Sequence, residues 1–161
     1  MPRVVVNSTP LIILSNINQL DLLKKLYSEI YIPEAVFNEV TEKTDSACHQ
    51  IKSHTDWIHV CKITDESQKR MYQAKLHAGE VEVMILSQEN PKADLVILDD
   101  NAAKKTAKFL GLNVTGSLGV ILKAKKMDII KDVTSLMNQL ISNGFYITKK
   151  IYDLVKSEAG E

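Results

Sequence analysis

Leu95-Val96-Ile97-Leu98-Asp99-Asp100 is the stretch that decides the fold. Four apolar side chains follow one another without polar alternation and stop on two acids. A strand with one face in water alternates apolar and polar residues; a strand covered on both faces does not. The run therefore reads as a strand of a parallel sheet. Asp94 precedes it and belongs to the opposite edge. Asn101 follows, Ala102 to Leu110 reads as helix, and Gly111 is its stop.

The same grammar recurs in both directions. Arg3-Val-Val-Val6 is a buried strand ending on Asn7-Ser-Thr-Pro10, where Ser8 or Thr9 is placed to cap a helix with Pro10 in its first turn. Leu11 to Asn16 continues that helix, and Leu20, Leu22, Leu23 and Leu26 extend a helical stripe through Tyr27. Glu29 to Ile32 is a second strand, and Pro33 opens a helix with Ala35, Val36, Phe37 and Val40 as apolar positions. Trp57 to Cys61 is a third strand. A helix starts at Asp65 or Ser67 and reaches about Leu76, Gly79 breaks it, and another runs from about Glu80 to Gln88. Leu112 to Val114 is a fifth strand, followed by a helix capped by Ser117 and running to about Lys126. Helices over about 132–142 and 148–157 close the chain. Strands alternate with helices through the first 115 residues, which predicts an α/β fold: a central parallel five-stranded sheet flanked by helices in three layers. Residues 1–161 read as a single domain with a helical C-terminal extension from about 132.

Composition narrows the class. At 161 residues, 45% hydrophobic and 25% charged, the chain suits one soluble core. No apolar run approaches the roughly 18 residues of a membrane helix, and the start lacks the pattern of a signal peptide; the expected location is the cytoplasm. Cys48 and Cys61 form no CxxC pair and are expected as reduced thiols. His49, His54 and His59 lie near them, in no spacing of a structural zinc site, and are read as solvated. The formal net charge is zero, but between Asn101 and Ile130 six lysines face one acid. A basic segment beside an acidic site suits a metal ion and a phosphate chain together.

In open parallel sheets ligands gather beyond the carboxyl ends of the strands. The polar residues due there are Asn7, Ser8 and Thr9 after the first strand, Asp99 and Asp100 after the fourth, and Thr115 and Ser117 after the fifth. Glu39, two turns into the helix opened by Pro33, and Glu80 and Glu82, after Gly79, are further acids. Each also has a structural reading: Asp99 or Asp100 as a helix cap, Glu80 and Glu82 as first-turn acids favoured by the helix dipole, Glu39 as a solvated helix residue. Carboxylates gathered at one point repel, and a divalent ion with oxygen ligands relieves that repulsion. Such an ion can activate water against a phosphodiester without a serine or cysteine nucleophile. No GxSxG, P-loop or GxGxxG motif points to another class.

At this point the chain resembles the PIN domains. Val5-Val-Asn-Ser-Thr-Pro-Leu-Ile12 is similar to their opening strand motif, and Ile32-Pro-Glu-Ala-Val-Phe-Asn-Glu-Val40 to the second, whose last glutamate matches Glu39. Ala78-Gly-Glu-Val-Glu-Val83 and Leu95-Val-Ile-Leu-Asp-Asp-Asn101 resemble the third and fourth. Val114-Thr-Gly-Ser-Leu-Gly-Val120 and Gly144-Phe145 are similar to a prokaryotic branch related to toxin–antitoxin ribonucleases. The resemblance implies cleavage of single-stranded RNA by a metal-activated water with Mg²⁺ or Mn²⁺, frequent homodimers, and in many relatives an antitoxin protein partner. It carries Glu39, Glu80 and Asp100 over as metal-site and catalytic acids. Asp99 is the adjacent candidate and Glu82 a weaker one. Ser8, Ser117, Lys104 and Lys105 are candidates for touching the substrate. One position departs from the pattern: Asn7 stands where the family has aspartate and offers a neutral oxygen in place of a carboxylate. A metal-dependent ribonuclease therefore competes with a PIN-like module that binds RNA or a protein with little catalysis. Another Mg²⁺ enzyme, such as a phosphatase or phospho-receiver, ranks behind both, because a receiver places its acidic pair after the first strand.

Overall fold

The computed structural model describes residues 3–69, 76–89 and 91–161. Five strands, β1 (Val4–Val6), β2 (Ile30–Pro33), β3 (Ile58–Cys61), β4 (Leu95–Ile97) and β5 (Val114–Thr115), form one sheet in the order β3-β2-β1-β4-β5. Every pairing is parallel, with Val5 opposite Tyr31 on one side and Val96 on the other. The non-alternating apolar runs are explained by burial: Val4, Val5, Val6, Val96, Ile97 and Leu98 are all fully buried. Chain order runs outward from β1 to β3 in one direction and restarts at β4 on the other side of β1. That reversal opens a crevice at the carboxyl ends of β1 and β4.

The helices are α1 (Ser8–Asn16), α2 (Asp21–Tyr27), α3 (Glu34–Thr41), α4 (Ser46–Ser53), α5 (Ala78–Gln88), α6 (Asn101–Phe109), α7 (Ser117–Lys126), α8 (Thr134–Ser142) and α9 (Lys149–Glu158). Several differ from the sequence reading for local reasons. Ser8 lies inside α1 and does not cap it; Asn7, extended at φ −83°, holds the cap position without a side-chain bond. The leucine stripe is not one helix, because α1 ends at Asn16 and Asn18 turns the chain at φ 56° before α2 begins. Asparagine tolerates that left-handed conformation better than most residues. Gly79 does not break a helix but sits in the first turn of α5. The helix expected from Asp65 begins as a 3₁₀ turn over Glu66–Gln68, and its stretch at 70–75 lies outside the described residues. The sequence reading left α4 unassigned; Asp45 caps it, accepting from the Cys48 N–H at 3.0 Å.

Cys48 and Cys61 are free thiols. Cys48 is core, and burial pushes the Cys61 thiol above its ordinary pKa, which favours the protonated, unreactive form. His59 lies 3.2 Å from Glu29, and His54 packs against Trp57. No helix among the described residues is long and apolar enough to cross a membrane.

The last helices dock through Leu136, Met137, Leu140 and Val155. Glu161 ties the end of the chain back: its carboxylate accepts from the Val133 N–H at 2.7 Å and from the Thr134 hydroxyl at 2.6 Å. The Thr134 hydroxyl, then the Val133 N–H, hold the Glu161 carboxyl down to about 2. Because this lies below the ordinary 4.5, the anchoring is complete above that value and is lost as pH falls toward 2. Glu161→Gln should expose the same contact at neutral pH. Faster amide exchange at Val133 and Thr134, with the central strands unchanged, is the expected result; unchanged exchange at both amides would show that the carboxylate anchors nothing.

Candidate active site

The site grows from the end of β1. Asn7 is the first residue past that strand, and its N–H still reaches the Ile97 carbonyl at 2.9 Å. The residue is thereby held at the carboxyl ends of β1 and β4. Asn7 is 5% exposed, and its Oδ1 has no hydrogen-bond partner among the described residues. A buried carbonyl without a partner costs about 1–3 kcal/mol, so its retention calls for an explanation.

On the β2 side, the Ser8 hydroxyl donates a short hydrogen bond to Glu39 Oε2. Gly79 completes this corner: a Cβ there would stand 3.2 Å from Glu39 Oε2 and 3.5 Å from Ser8 Oγ. The glycine lets α5 approach α1 and α3 at the carboxylate. Glu80, next in α5, is buried, and its Oε1 accepts from the His77 N–H at 3.0 Å, closing the first turn. Glu82 does something else. Its Oε1 accepts from the Ala35 N–H at 3.1 Å, at the start of α3, and its Oε2 lies 3.5 Å from Lys69 Nζ. It holds the beginning of the helix that carries Glu39.

On the β4 side, Asp99 grips the start of α7. Its Oδ1 accepts from the Ser117 N–H at 2.8 Å and its Oδ2 from the Ser117 hydroxyl at 2.6 Å, and Ser117 is fully buried. Asp100 is exposed and caps α6 through the Ala103 N–H at 2.9 Å. Lys104 reaches toward Asp99 over Gly116: a Cβ on that glycine would stand 2.8 Å from Asp99 Oδ1 and 2.9 Å from Lys104 Nζ. Lys105 is exposed on α6. Gly116→Ala should therefore displace either the carboxylate or the ammonium while leaving the fold standing. A drop in phosphate-chain affinity is the expected result, joined by a lower melting temperature where it is Asp99 that moves off buried Ser117, and unchanged affinity would mean that the gap is not used.

The family model of the PIN domain matches residues 3–161. The chain belongs to the PIN-domain family. No curated protein sequence matches it closely enough to count as a relative. The family match runs through α8 and α9, so the C-terminal helices are part of the matched unit, and the PIN domain brings a nuclease-type fold.

PIN nucleases typically use divalent metals, so the residues at the strand ends can be tested against one. Among the described residues, no three His, Cys, Asp or Glu side chains form a metal cluster by themselves. The acids stand in two groups, Glu39 with Ser8 on the β2 side of Asn7 and Asp99 with Ser117 on the β4 side. Asn7, at the end of the central strand β1, supplies a buried oxygen without a partner among the described residues. All the candidate donors are oxygens, as Mg²⁺ and Mn²⁺ prefer, and the orphaned buried oxygen of Asn7 is free to serve such an ion.

Sequence reasoning did not find Gly79 or Gly116 as site residues, nor the positioning role of Glu82. The glycines serve contacts made by distant segments, which no local pattern records. A first-turn acid like Glu82 carries only the generic dipole signal.

Proposed function

We propose that this PIN domain is a metal-dependent ribonuclease that hydrolyses single-stranded RNA at the crevice between β1 and β4. The observation that carries this reading is the buried, unpartnered Oδ1 of Asn7, the first residue past β1, at the point where the strand order reverses. Asn7, Glu39, Glu80 and Asp99 would hold Mg²⁺ or Mn²⁺, with Asp100 at the rim. A bound divalent ion would supply an acidified water and charge stabilisation at the phosphodiester. The chain's own residues do the rest. Ser8 orients the Glu39 carboxylate, Ser117 fixes Asp99, and Glu82 holds the first turn of α3. Lys104, with no ion pair among the described residues, is free to meet a phosphate, and Lys105 adds charge beside it. The reading extends to the toxin of a toxin–antitoxin pair, active as a homodimer.

A second reading has its own support. Asp99, Asp100 and Glu80 each already accept from a backbone N–H, and Asn7 lacks the family's charge. A PIN-like module that binds RNA with little cleavage would look the same. Incubating the purified protein with labelled single-stranded RNA in Mn²⁺, Mg²⁺ or EDTA separates the two. Cleavage with metal and none with EDTA supports the nuclease; binding without cleavage under any metal supports the module.

A further inference from the structure

Beside the strand-end crevice runs a groove of about 460 Å³, within the roughly 300–1,000 Å³ typical of small-ligand sites. Asp99, Lys104 and Gly116 line it together with Tyr146, Ile147 and Ile151. A turn sets the segment that carries Tyr146. Gly144 takes φ +93°, which glycine adopts without strain, and the Phe145 N–H returns to the Leu140 carbonyl at 2.9 Å. Phe145 and Ile147 pack against the core, so Tyr146 between them is turned outward and is 84% exposed. Among the described residues its ring stacks on no other ring and its hydroxyl makes no hydrogen bond. An uncovered aromatic face thus lines the same groove as a lysine that makes no ion pair among the described residues.

We propose that this groove seats one unpaired nucleobase of single-stranded RNA, with the Tyr146 ring as its stacking face and Lys104 on the neighbouring phosphate. The proposal rests on the RNA-cleaving reading above and adds where the strand runs and what grips it. Charge and shape favour a nucleotide: an aromatic face paired with a cation is the recurring solution for an unstacked base and its phosphate. The groove shares Asp99 with the crevice, so a base held at Tyr146 places the adjoining backbone at the strand ends.

The test is the affinity of a labelled hexauridylate, measured in EDTA so that no cleavage intervenes, together with a hexamer carrying one abasic residue. Tyr146 is exposed, so its substitution leaves the core intact. Tyr146→Ala should weaken hexauridylate binding roughly fivefold to a hundredfold, while Tyr146→Phe, which keeps the stacking face, should bind within about twofold of wild type by the same stacking argument. An abasic residue at the critical position should weaken wild type and leave Tyr146→Ala unaffected. Equal affinities of wild type and Tyr146→Ala would overturn the groove assignment and leave the nuclease reading intact. Tyr146-dependent binding without Mn²⁺-dependent cleavage would uphold the groove and sink the catalytic reading. No binding of either oligomer by wild type would overturn the groove assignment and leave the nuclease reading to its cleavage test.

Discussion

Asn7→Asp should tighten Mn²⁺ binding by about tenfold to a hundredfold while making the metal-free protein less stable. Asn7 is 5% exposed and its Oδ1 has no partner among the described residues. A carboxylate placed there is desolvated and has no donor among the described residues, so its pKa is raised. A raised folded pKa means that the penalty is absent at pH below the ordinary aspartate value of about 4 and grows as pH rises through the folded pKa. The metal-free variant should therefore lose stability at neutral pH and recover it on acidification. A divalent ion reverses the sign. A unit charge about 4 Å away is worth about 4 kcal/mol at an effective dielectric near 20, and a net gain of roughly 1–3 kcal/mol remains after desolvation and repulsion. At an Mn²⁺ concentration 100-fold above Kd, the bound ion should stabilise the fold by about 2.7 kcal/mol. Melting curves of both proteins across pH, with and without Mn²⁺, give all of these signs. Identical curves would make Asn7 a turn residue only.

Asp99 and Asp100 should separate cleanly under substitution. Asp99→Asn keeps an acceptor for the Ser117 N–H and a donor for its hydroxyl, so the grip on α7 survives. What it loses is the charge at the crevice. Cleavage of single-stranded RNA should fall by at least about 10²–10³, the usual cost of removing one electrostatic element from a reaction centre. Asp99→Ala should also destabilise the fold, because buried Ser117 then loses its partner. Asp100→Ala removes a cap, worth about 0.5–2 kcal/mol, and Asp100→Ser should restore that stability with cleavage near wild type. If Asp100→Ser abolishes cleavage while Asp99→Asn retains it, the two roles are reversed.

The parallel sheet was legible because its cause is local in each strand. Leu95 to Leu98 and Val4 to Val6 are apolar on both faces, and a strand covered on both faces needs that. The residues that end those strands, Asn7 and Asp99, could be placed at one edge by the same logic. Three features were not legible, one for a weak local pattern and two for reasons outside their own segments. In α4 the buried positions are only Ala47, Cys48 and Ile51, too weak an apolar pattern to stand out, although Asp45 was a usable cap signal. Gly79 looked like a helix breaker because glycine has low helix propensity; its presence in α5 is explained by Glu39 and Ser8 closing on it. Tyr146 belongs to no periodic stripe, and its exposure follows from the Gly144 turn and the inward packing of its two neighbours.

The most direct test of a metal site at the β1–β4 crevice is the anomalous scattering of Mn²⁺ from crystals of the wild-type protein grown with saturating Mn²⁺. The expected result is a peak about 2.0–2.3 Å from Asn7 Oδ1, within ligand distance of a carboxylate oxygen of Glu39 or Asp99. A crevice without an anomalous peak at saturating Mn²⁺, with Asn7 Oδ1 touching no ion, would contradict it.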